Sequence, residues 1–186
     1  MELKVPRVTN TIIGLIKSIG KADLKFVEIG VHVAKSANLI LQSCGSLISE
    51  YVGIDPYMAD GHYSRTEKSG TRKYINVLIK MREYPQFRLI REKSNFVVQI
   101  FPDNYFDFIY IDGNHEYEYV RSDITLYLPK LKTTGILAGH DYSRTSKKPG
   151  VIKAVHEIFG EDCERGSGTL FIVRFKDGKI VYGDKR

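Results

Sequence analysis

Apolar and polar residues alternate along this chain with two periods, which divide it into short strand-like runs and longer helix-like stretches. Seven runs predict strands: Lys25–Ile29, Tyr51–Ile54, Phe87–Arg91, Phe106–Ile111, Gly135–Ala138, Thr169–Phe175 and Lys179–Tyr182. Between them, the spacing of one helix face predicts helices over Arg7–Ile19, Ser36–Gln42, Thr66–Arg82, Glu116–Leu128 and Gly150–Phe159. This alternation is typical of an α/β domain with a mainly parallel sheet.

Two of these runs refine the expected sheet. Phe106–Ile111 is almost continuously apolar, which suits a central strand covered by helices on both faces. The last two predicted strands are separated only by Lys176, Asp177 and Gly178, and an Asp-Gly pair favours a tight antiparallel turn. We therefore expect a single domain over residues 1–186, with a seven-stranded, mostly parallel sheet that ends in a C-terminal antiparallel hairpin.

Composition limits the class of protein. The chain has 186 residues, of which 42% are hydrophobic and 27% charged, as in ordinary soluble globular proteins. No apolar run approaches the ~20 residues that a membrane helix needs, and Met1–Asn10 lacks the apolar core of a secretory signal. Cys44 and Cys163 lie far apart and form no metal-binding pair. A cytoplasmic location without a membrane partner is expected.

The formal net charge of +6 leaves a nucleic acid, an anionic substrate or mere solubility open as its explanation. The positive residues are spread along the chain, and the densest stretches are Arg65–Lys73 and Arg144–Lys153. Neither stretch carries the interleaved aromatic residues of a platform for single-stranded nucleic acid. A nucleic acid partner is therefore possible but not favoured.

The first predicted strand leads through a tight turn into a helix, and ligands of open α/β sheets bind beside such turns. Gly30 allows the backbone to approach a ligand closely, and Ser36 lies in the first turn of the helix. The nicotinamide fingerprint G-x-G-x-x-G fails here, because His32 occupies its second glycine position.

Polar residues follow the next strands. Asp55 ends the second strand, where a carboxylate can accept hydrogen bonds from both hydroxyls of a ribose. Ser94 follows the third strand, as a ligand contact or equally as a helix cap. Asp112 and His115 follow the fourth strand, and His140 and Asp141 follow the fifth. These four side chains are therefore expected to meet at one edge of the sheet. Such a cluster predicts a metal site or an acid/base site.

Two motifs resemble one known family. The Glu28–Ser36 segment resembles the first motif of the catechol O-methyltransferase branch of class I S-adenosylmethionine-dependent methyltransferases, with Ala34 in place of the usual glycine. The strings Ile111–Tyr117 and Ala138–Tyr142 resemble metal-dependent O-methyltransferases of small molecules, in particular those acting on sugars of natural products. The resemblance extends over Phe26–Phe159.

The resemblance implies a Rossmann-like fold and a site for S-adenosylmethionine, with Glu28 facing the ammonium group of the donor. Together with the strand-end positions, the cofactor residues are then Glu28, Gly30, Ser36, Asp55, Ser94 and Asp112. It also implies a divalent metal, magnesium or manganese, held by Asp112, His140 and Asp141, with His115 as general base. The animal catechol enzymes carry Asp-Asn where this chain has His140-Asp141, and imidazole favours a softer ion than magnesium.

Three functions remain open from the sequence. The first is metal-assisted O-methylation of a hydroxylated small molecule such as a sugar. The second is methylation of nucleic acid, although the chain lacks the Asn/Asp-Pro-Pro-Tyr type of motif that is used on base amines. The third is a non-catalytic protein that binds S-adenosylmethionine in a methyltransferase fold. The sequence carries no signal for the oligomeric state.

Overall fold

The structure is a computed structural model, and it describes residues 5–58, 66–143, 149–161 and 163–181. Within these ranges the strands are β1 (Leu24–Ile29), β2 (Ile48–Ile54), β3 (Phe87–Ile90), β4 (Phe106–Ile111), β5 (Leu131–Gly139), β6 (Glu164–Gly166), β7 (Leu170–Lys176) and β8 (Lys179–Val181). They form one sheet in the order β3-β2-β1-β4-β5-β7-β6, and β8 pairs with β7. Strands β1 to β5 are parallel, whereas β6, β7 and β8 run antiparallel to their neighbours.

Helices cover both faces of the sheet, as the sequence predicts. The α-helices are α1 (Arg7–Ser18), α2 (Lys35–Cys44), α3 (Glu67–Met81), α4 (Ser94–Val97), α5 (Tyr117–Tyr127) and α6 (Gly150–Phe159). Helices α1, α2 and α3 bury apolar residues against one face, and α4, α5 and α6 bury theirs against the other. None of the helices in the described ranges is long and apolar enough to cross a bilayer.

The central strands explain the position of the core. Every residue of β4 is buried. From Phe108 to Ile111, alternate residues enter the apolar clusters on the two faces, because successive side chains of a strand point to opposite sides. On one face, the Phe26 ring stacks between Tyr51 and Phe108 with centroid distances of 4.5 and 4.9 Å. The rings join β2, β1 and β4 into a rigid platform, and the carboxyl ends of these strands are the edge where chemistry is expected.

The antiparallel end of the sheet confirms one prediction and adds a strand. Asp177 and Gly178, with φ of 52° and 73°, form the tight turn of the predicted β7–β8 hairpin. Strand β6 is an eighth strand that the pattern did not predict, because its three residues, Glu164–Gly166, include no apolar side chain. It is held instead by its hydrogen-bond ladder to β7 and by the Arg174–Glu164 ion pair at 2.8 Å. Neither contact can be read from the apolar pattern of β6 itself.

Several bounds differ from the expected ones. Strand β5 begins four residues earlier than predicted, at Leu131, because polar residues at its start hide the period. Thr169 has a φ of 71° and precedes β7 rather than belonging to it. Helix α4 was not predicted, and Tyr182 lies outside the described residues.

Candidate active site

A cavity of about 270 Å³ opens at the carboxyl ends of β1, β2 and β4 and beside the loop after β3. This volume lies close to the lower limit of about 300 Å³ for ligand pockets in proteins, so the cavity is on the scale of a small ligand site. Four of the six predicted cofactor residues line it, namely Gly30, Asp55, Ser94 and Asp112, whereas Glu28 and Ser36 do not. Lining residues that sequence reasoning passed over include His32, Tyr57, Lys73, Asn95, Tyr119 and Asp123.

Gly30 is required by the way the first turn meets the fourth strand. Its φ of 93° is left-handed, and a Cβ atom there would lie 2.2 Å from the backbone oxygen of Asp112. The Asp112 backbone N–H in turn donates to the Ile29 carbonyl at 2.8 Å. The turn after β1 and the turn after β4 are therefore in direct backbone contact, and any side chain at position 30 would separate them.

The rest of the β1–α2 turn is held by a lysine from α3. His32 and Ala34 both adopt left-handed backbone conformations, with φ of 51° and 52°, which cost energy for residues other than glycine. Lys80 Nζ donates to the carbonyls of Val33 and Ala34, at 3.0 Å each. These charge-assisted bonds fix the strained turn. The glycine expected by the related motif would relieve the strain at Ala34.

Asp55 organises its own loop. Its Oδ2 accepts a hydrogen bond from the His32 N–H at 2.8 Å, and its Oδ1 accepts one from the Tyr57 N–H at 2.9 Å. Each carboxylate oxygen has a second lone pair, so both remain able to accept from a ligand in the cavity. Tyr57 lines the same cavity, and its buried hydroxyl meets no hydrogen-bond partner among the described residues.

Glu28 and Ser36 lie elsewhere. The Glu28 carboxyl is 1% exposed and accepts a 2.9 Å hydrogen bond from the Tyr51 hydroxyl. Burial raises the pKa of Glu28 well above its usual range, and the negative charges of Asp112 and Asp55 act in the same direction. Glu28 thus lies in the core beside the cavity, and Ser36 lies half-buried on α2. Their roles toward the donor stay predictions.

Ser94 does not cap a helix. It is the first residue of α4, and its hydroxyl donates to Oδ1 of Asp123 at 2.5 Å. Asp123 lies on α5, on the same face as the buried residues Val120, Ile124 and Tyr127. Burial raises the pKa of Asp123 to about 6, although the bond from Ser94 lowers it. The sequence held a signal for this residue, since an acid at helical spacing among apolar residues is rarely a surface acid.

The acids and histidines after β4 and β5 come together as predicted. Asp112 Oδ1 lies 3.4 Å from both His115 Nε2 and His140 Nδ1. Asp141, with a left-handed φ of 57°, turns its carboxylate so that Oδ2 lies 2.8 Å from His115 Nδ1 and Oδ1 lies 3.4 Å from His140 Nδ1. We call these four residues the His–Asp cluster.

The charges of the His–Asp cluster support one another. Burial acts to raise the pKa of Asp112, but the imidazoles of His115 and His140, each 3.4 Å from its Oδ1, outweigh it and hold the pKa below its usual range. The bond to Asp112 raises the pKa of His140, against the effect of burial. The Tyr110 hydroxyl also donates to Asp112 Oδ2 at 3.1 Å. Asp112 is therefore held as a carboxylate at the point where the cavity and the cluster meet.

His115 Nε2 is a buried atom without a hydrogen-bond partner in the described part of the chain. Its Nδ1 faces Asp141, and that contact favours the tautomer in which Nδ1 carries the proton and Nε2 a lone pair. Ligand atoms of Asp112, His115 and His140 lie within 4.8 Å of one another, as binding of one ion requires. These three residues could hold a divalent cation, whereas Asp141, predicted as a ligand, is outside this grouping and instead contacts the imidazoles of His115 and His140.

The chain is similar to other proteins over most of its length. A family model described as a methyltransferase domain matches residues 27–142. An uncharacterised protein of Acanthamoeba polyphaga mimivirus is 29% identical over 151 residues, which cover 79% of this chain and 64% of the viral protein. The chain therefore spans somewhat less than two thirds of that relative.

Solved structures share the fold at low identity. CalS11, a TDP-rhamnose 3'-O-methyltransferase of calicheamicin biosynthesis, has a TM-score of 0.66 at 17% identity, covering 92% of this chain and 82% of its own. TomG, an O-methyltransferase of Streptomyces achromogenes determined with S-adenosylmethionine, has a TM-score of 0.62 at 12% identity, covering 94% and 82%. Because the family model covers more than half of the chain, the chain belongs to the methyltransferase domain family, and the predicted class I, S-adenosylmethionine-dependent methyltransferase fold is confirmed.

Proposed function

We propose that this protein transfers a methyl group from S-adenosylmethionine to a hydroxyl oxygen of a small molecule, with the help of a divalent cation. The observation that carries the proposal is the position of Asp112, which lines the cavity and also belongs to the His–Asp cluster. A donor in the cavity and an acceptor at the cluster would therefore meet at one residue. Bringing two reactants into line supplies a large part of the rate enhancement of such a reaction.

The cavity residues would bind and orient the donor, which when bound supplies an electrophilic methyl group. Asp55 would accept hydrogen bonds from the ribose hydroxyls with the lone pairs that its backbone contacts leave available. Gly30 keeps the first turn close to the Asp112 backbone, so that the donor rests across both strand ends. Lys73 and His32 add positive charge and polarity at the side of the cavity next to α3.

The His–Asp cluster would hold the cation through Asp112, His140 and Asp141, while His115 Nε2 takes the proton of the acceptor hydroxyl. A divalent cation supplies Lewis acidity, which lowers the pKa of a nearby hydroxyl. The mixed carboxylate and imidazole ligands favour manganese over magnesium, although both are accommodated by carboxylates. The 2.8 Å contact from Asp141 orients the imidazole of His115 toward Asp112.

A sugar or another vicinal diol is the proposed acceptor class. A chelating pair of hydroxyls suits a cation that is held on one side by protein ligands. The fold neighbour CalS11 acts on TDP-rhamnose, and this supports a hydroxylated natural product without identifying it. Loops vary more between related proteins than the strands and helices that they connect. The loop after β2 is therefore the expected source of specificity for the acceptor.

Calorimetric titration with S-adenosylhomocysteine, with and without magnesium or manganese, tests the donor and cation sites together. We expect binding in the cavity and a cation requirement for methyl transfer to a panel of sugars and catechols. If exhaustive chelation leaves transfer at its full rate, the cation part of the proposal is wrong. If the protein binds neither S-adenosylmethionine nor S-adenosylhomocysteine, the donor part is wrong.

The role of His115 needs its own experiment, because the 4.8 Å grouping makes a ligand role a second candidate. For a general base, His115→Ala lowers kcat by roughly 10²–10⁴-fold and leaves the manganese affinity unchanged. For a ligand, the manganese affinity itself falls. His156→Ala is the control, since His156 is not a member of the His–Asp cluster and pairs with the Tyr142 hydroxyl.

A further inference from the structure

Asp123 is a buried acid that the mechanism above does not use. The residue is 6% exposed, and it lines the cavity from α5. A carboxyl group in such a place is costly unless its oxygens find hydrogen-bond donors. A ligand that donates hydrogen bonds to this carboxyl would therefore be stabilised in the cavity.

The two oxygens of Asp123 have different surroundings. Oδ1 accepts the hydroxyl of Ser94 at 2.5 Å, and the Tyr127 hydroxyl donates to the Ser94 carbonyl at 3.0 Å, so the serine is itself fixed. Oδ2 accepts no hydrogen bond from any residue that the structure describes, and it faces Gly113, where an added Cβ would lie 3.9 Å away. Ser94, Gly113 and Asp123 all line the cavity.

Gly113 lines the cavity without a side chain, next to Ile29 and to Oδ2 of Asp123, so a flat group can approach its backbone closely. Of the parts of a nucleoside donor, only the base is flat and carries N–H groups at its edge. The exocyclic amine of adenine donates, whereas the carbonyl oxygen at the same position of hypoxanthine would face the carboxylate with a second acceptor. A site with a buried acceptor rejects a ligand that leaves it unpaired.

The electrostatics agree with this geometry. Burial raises the pKa of Asp123 to about 6, so the carboxylate predominates at neutral pH while remaining poorly solvated. An incoming N–H donor replaces the missing hydration and favours the charged form. Two other cavity acids already accept hydrogen bonds from the protein, since Asp112 accepts the Tyr110 hydroxyl and Asp55 accepts two backbone amides. Oδ2 of Asp123 accepts none from the residues that the structure describes.

We propose that Asp123 selects the base of the methyl donor by accepting a hydrogen bond from the exocyclic amine of adenine at Oδ2, while Ser94 positions its carboxyl group through Oδ1. The inference rests on the proposed function, since it assumes that the donor occupies the cavity. It assigns to Ser94 a positioning role through Asp123, in place of a direct contact with the base. Specificity for adenine thus comes from α5, an element outside the strand ends that hold the ribose.

The test compares S-adenosylhomocysteine with S-inosylhomocysteine, which carries hypoxanthine, by calorimetry at pH 7.5. We expect the wild-type protein to favour the adenine ligand by ~100-fold or more, as a site built around a hydrogen bond does. In Asp123→Asn the ratio should fall below ~10-fold, because the amide can turn its NH₂ group toward the carbonyl of hypoxanthine. Ser94→Ala should lower the ratio less, since the acceptor remains but is no longer fixed.

Glu118→Gln is the matched control, because it removes one acid from the exposed side of the same helix. Its ratio should equal that of the wild type. A ratio in Asp123→Asn that equals the wild-type ratio, in a variant with normal S-adenosylhomocysteine binding, would overturn the inference and leave the proposed function intact. Absence of binding of either ligand to the wild type would overturn the proposed function and the inference with it.

A measurement on the wild type alone guards against a folding defect in the variant. The analogue with unsubstituted purine keeps the ring nitrogens but lacks the amine. We expect its affinity to be at least ~10-fold weaker than that of S-adenosylhomocysteine, the loss typical of one unmade hydrogen bond to a charged group. Equal affinities for the two ligands would contradict the assignment without any mutation.

Discussion

Single side chains at this site serve the protein backbone and the ligand at once. Asp55 is the plainest case, because its two oxygens bind the amides of His32 and Tyr57 and also face the cavity. Its position was predicted from the sequence, since it directly follows a strand. Its backbone role was not, because that depends on where the turn after β1 passes.

We expect Asp55→Ala to weaken S-adenosylhomocysteine binding by roughly 1.5–3 kcal/mol, the cost of losing hydrogen bonds to a charged group. Asp55→Asn should lose less, because the amide oxygen still accepts. Isothermal titration measures both. The control is Asp103→Ala, which breaks an exposed ion pair with Lys130. Unchanged affinity in a folded Asp55→Ala protein would refute the assignment.

Asp123 gives a prediction on stability as a function of pH. Its folded-state pKa, about 6, lies above the usual value of 3.8, so the folded protein holds this proton more tightly than the unfolded chain. The contribution is complete below pH 3.8 and is lost as the pH rises through 6. Asp123→Asn should therefore gain roughly 2–3 kcal/mol of unfolding free energy relative to wild type between pH 4 and pH 7.5.

Urea denaturation of both proteins at the two pH values measures this difference. Glu118→Gln, an exposed substitution on α5, should show no comparable change with pH. A difference between wild type and Asp123→Asn that stays constant with pH would mean that the carboxyl of Asp123 titrates normally. If the difference grows with pH as expected, Asp123→Asn is both more stable and less selective, as expected of a residue retained for binding.

At the scale of elements, the contact between the turns after β1 and β4 determines how the cavity is built. Gly30 stands against the Asp112 backbone with a left-handed φ, so Gly30→Ala should cost roughly 2–4 kcal/mol of unfolding free energy. Gly14→Ala is the matched control. It lies exposed in α1 with no atom within 4 Å of an added Cβ, and should stabilise by roughly 0.5–1 kcal/mol.

Thermal or urea unfolding of the two alanine variants tests the pair. Similar small effects would show that the first turn can move away from β4, and the close backbone contact would lose its significance. The sequence could predict a glycine turn after β1 from local pattern. It could not predict that Lys80, on α3, holds the carbonyls of Val33 and Ala34, because that contact joins segments 46 or more residues apart.

In the sheet too, local sequence pattern predicts some strands, whereas others depend on contacts between distant segments. The five parallel strands and the β7–β8 hairpin have apolar runs or turn residues of their own, and the sequence indicated them. Strand β6 has neither and is formed through its partner β7. The apolar neighbours of Asp123 on α5 indicate a buried acid, but its place at the cavity depends on how α5 packs over the sheet. The His–Asp cluster was predictable because parallel strands end at the same edge.

Across the whole molecule, the carboxyl and amino ends of the central strands differ in role: the first forms the candidate site, and the second stabilises the fold. The carboxyl edge holds the cavity and the His–Asp cluster. At the amino end of β4, Asp107 is 2% exposed and binds Lys21 Nζ at 2.6 Å, Lys132 Nζ at 2.9 Å and the Lys25 N–H at 2.9 Å. Burial acts to raise the pKa of Asp107, but these donors outweigh it and hold the pKa below its usual range.

Asp107→Ala should therefore lower the unfolding free energy at pH 7 by roughly 2–4 kcal/mol, because it leaves two lysines without their buried partner. Since a lowered pKa stabilises above the usual pKa, this contribution should vanish as the pH falls below about 3.8. S-adenosylhomocysteine affinity, measured well below the unfolding temperature, should not change. A loss of affinity as large as that in Asp55→Ala would contradict the separation of the two edges.

The double membership of Asp112 has a thermodynamic consequence. A carboxylate that borders two ligand sites makes their occupancies interdependent, and linkage requires the interaction to be reciprocal. Whatever factor a cation at the cluster applies to the affinity for the donor, the donor applies to the affinity for the cation. An affinity measured for one is therefore defined only at a stated concentration of the other. A protein kept saturated with S-adenosylmethionine would discriminate among metal ions differently from the same protein without it.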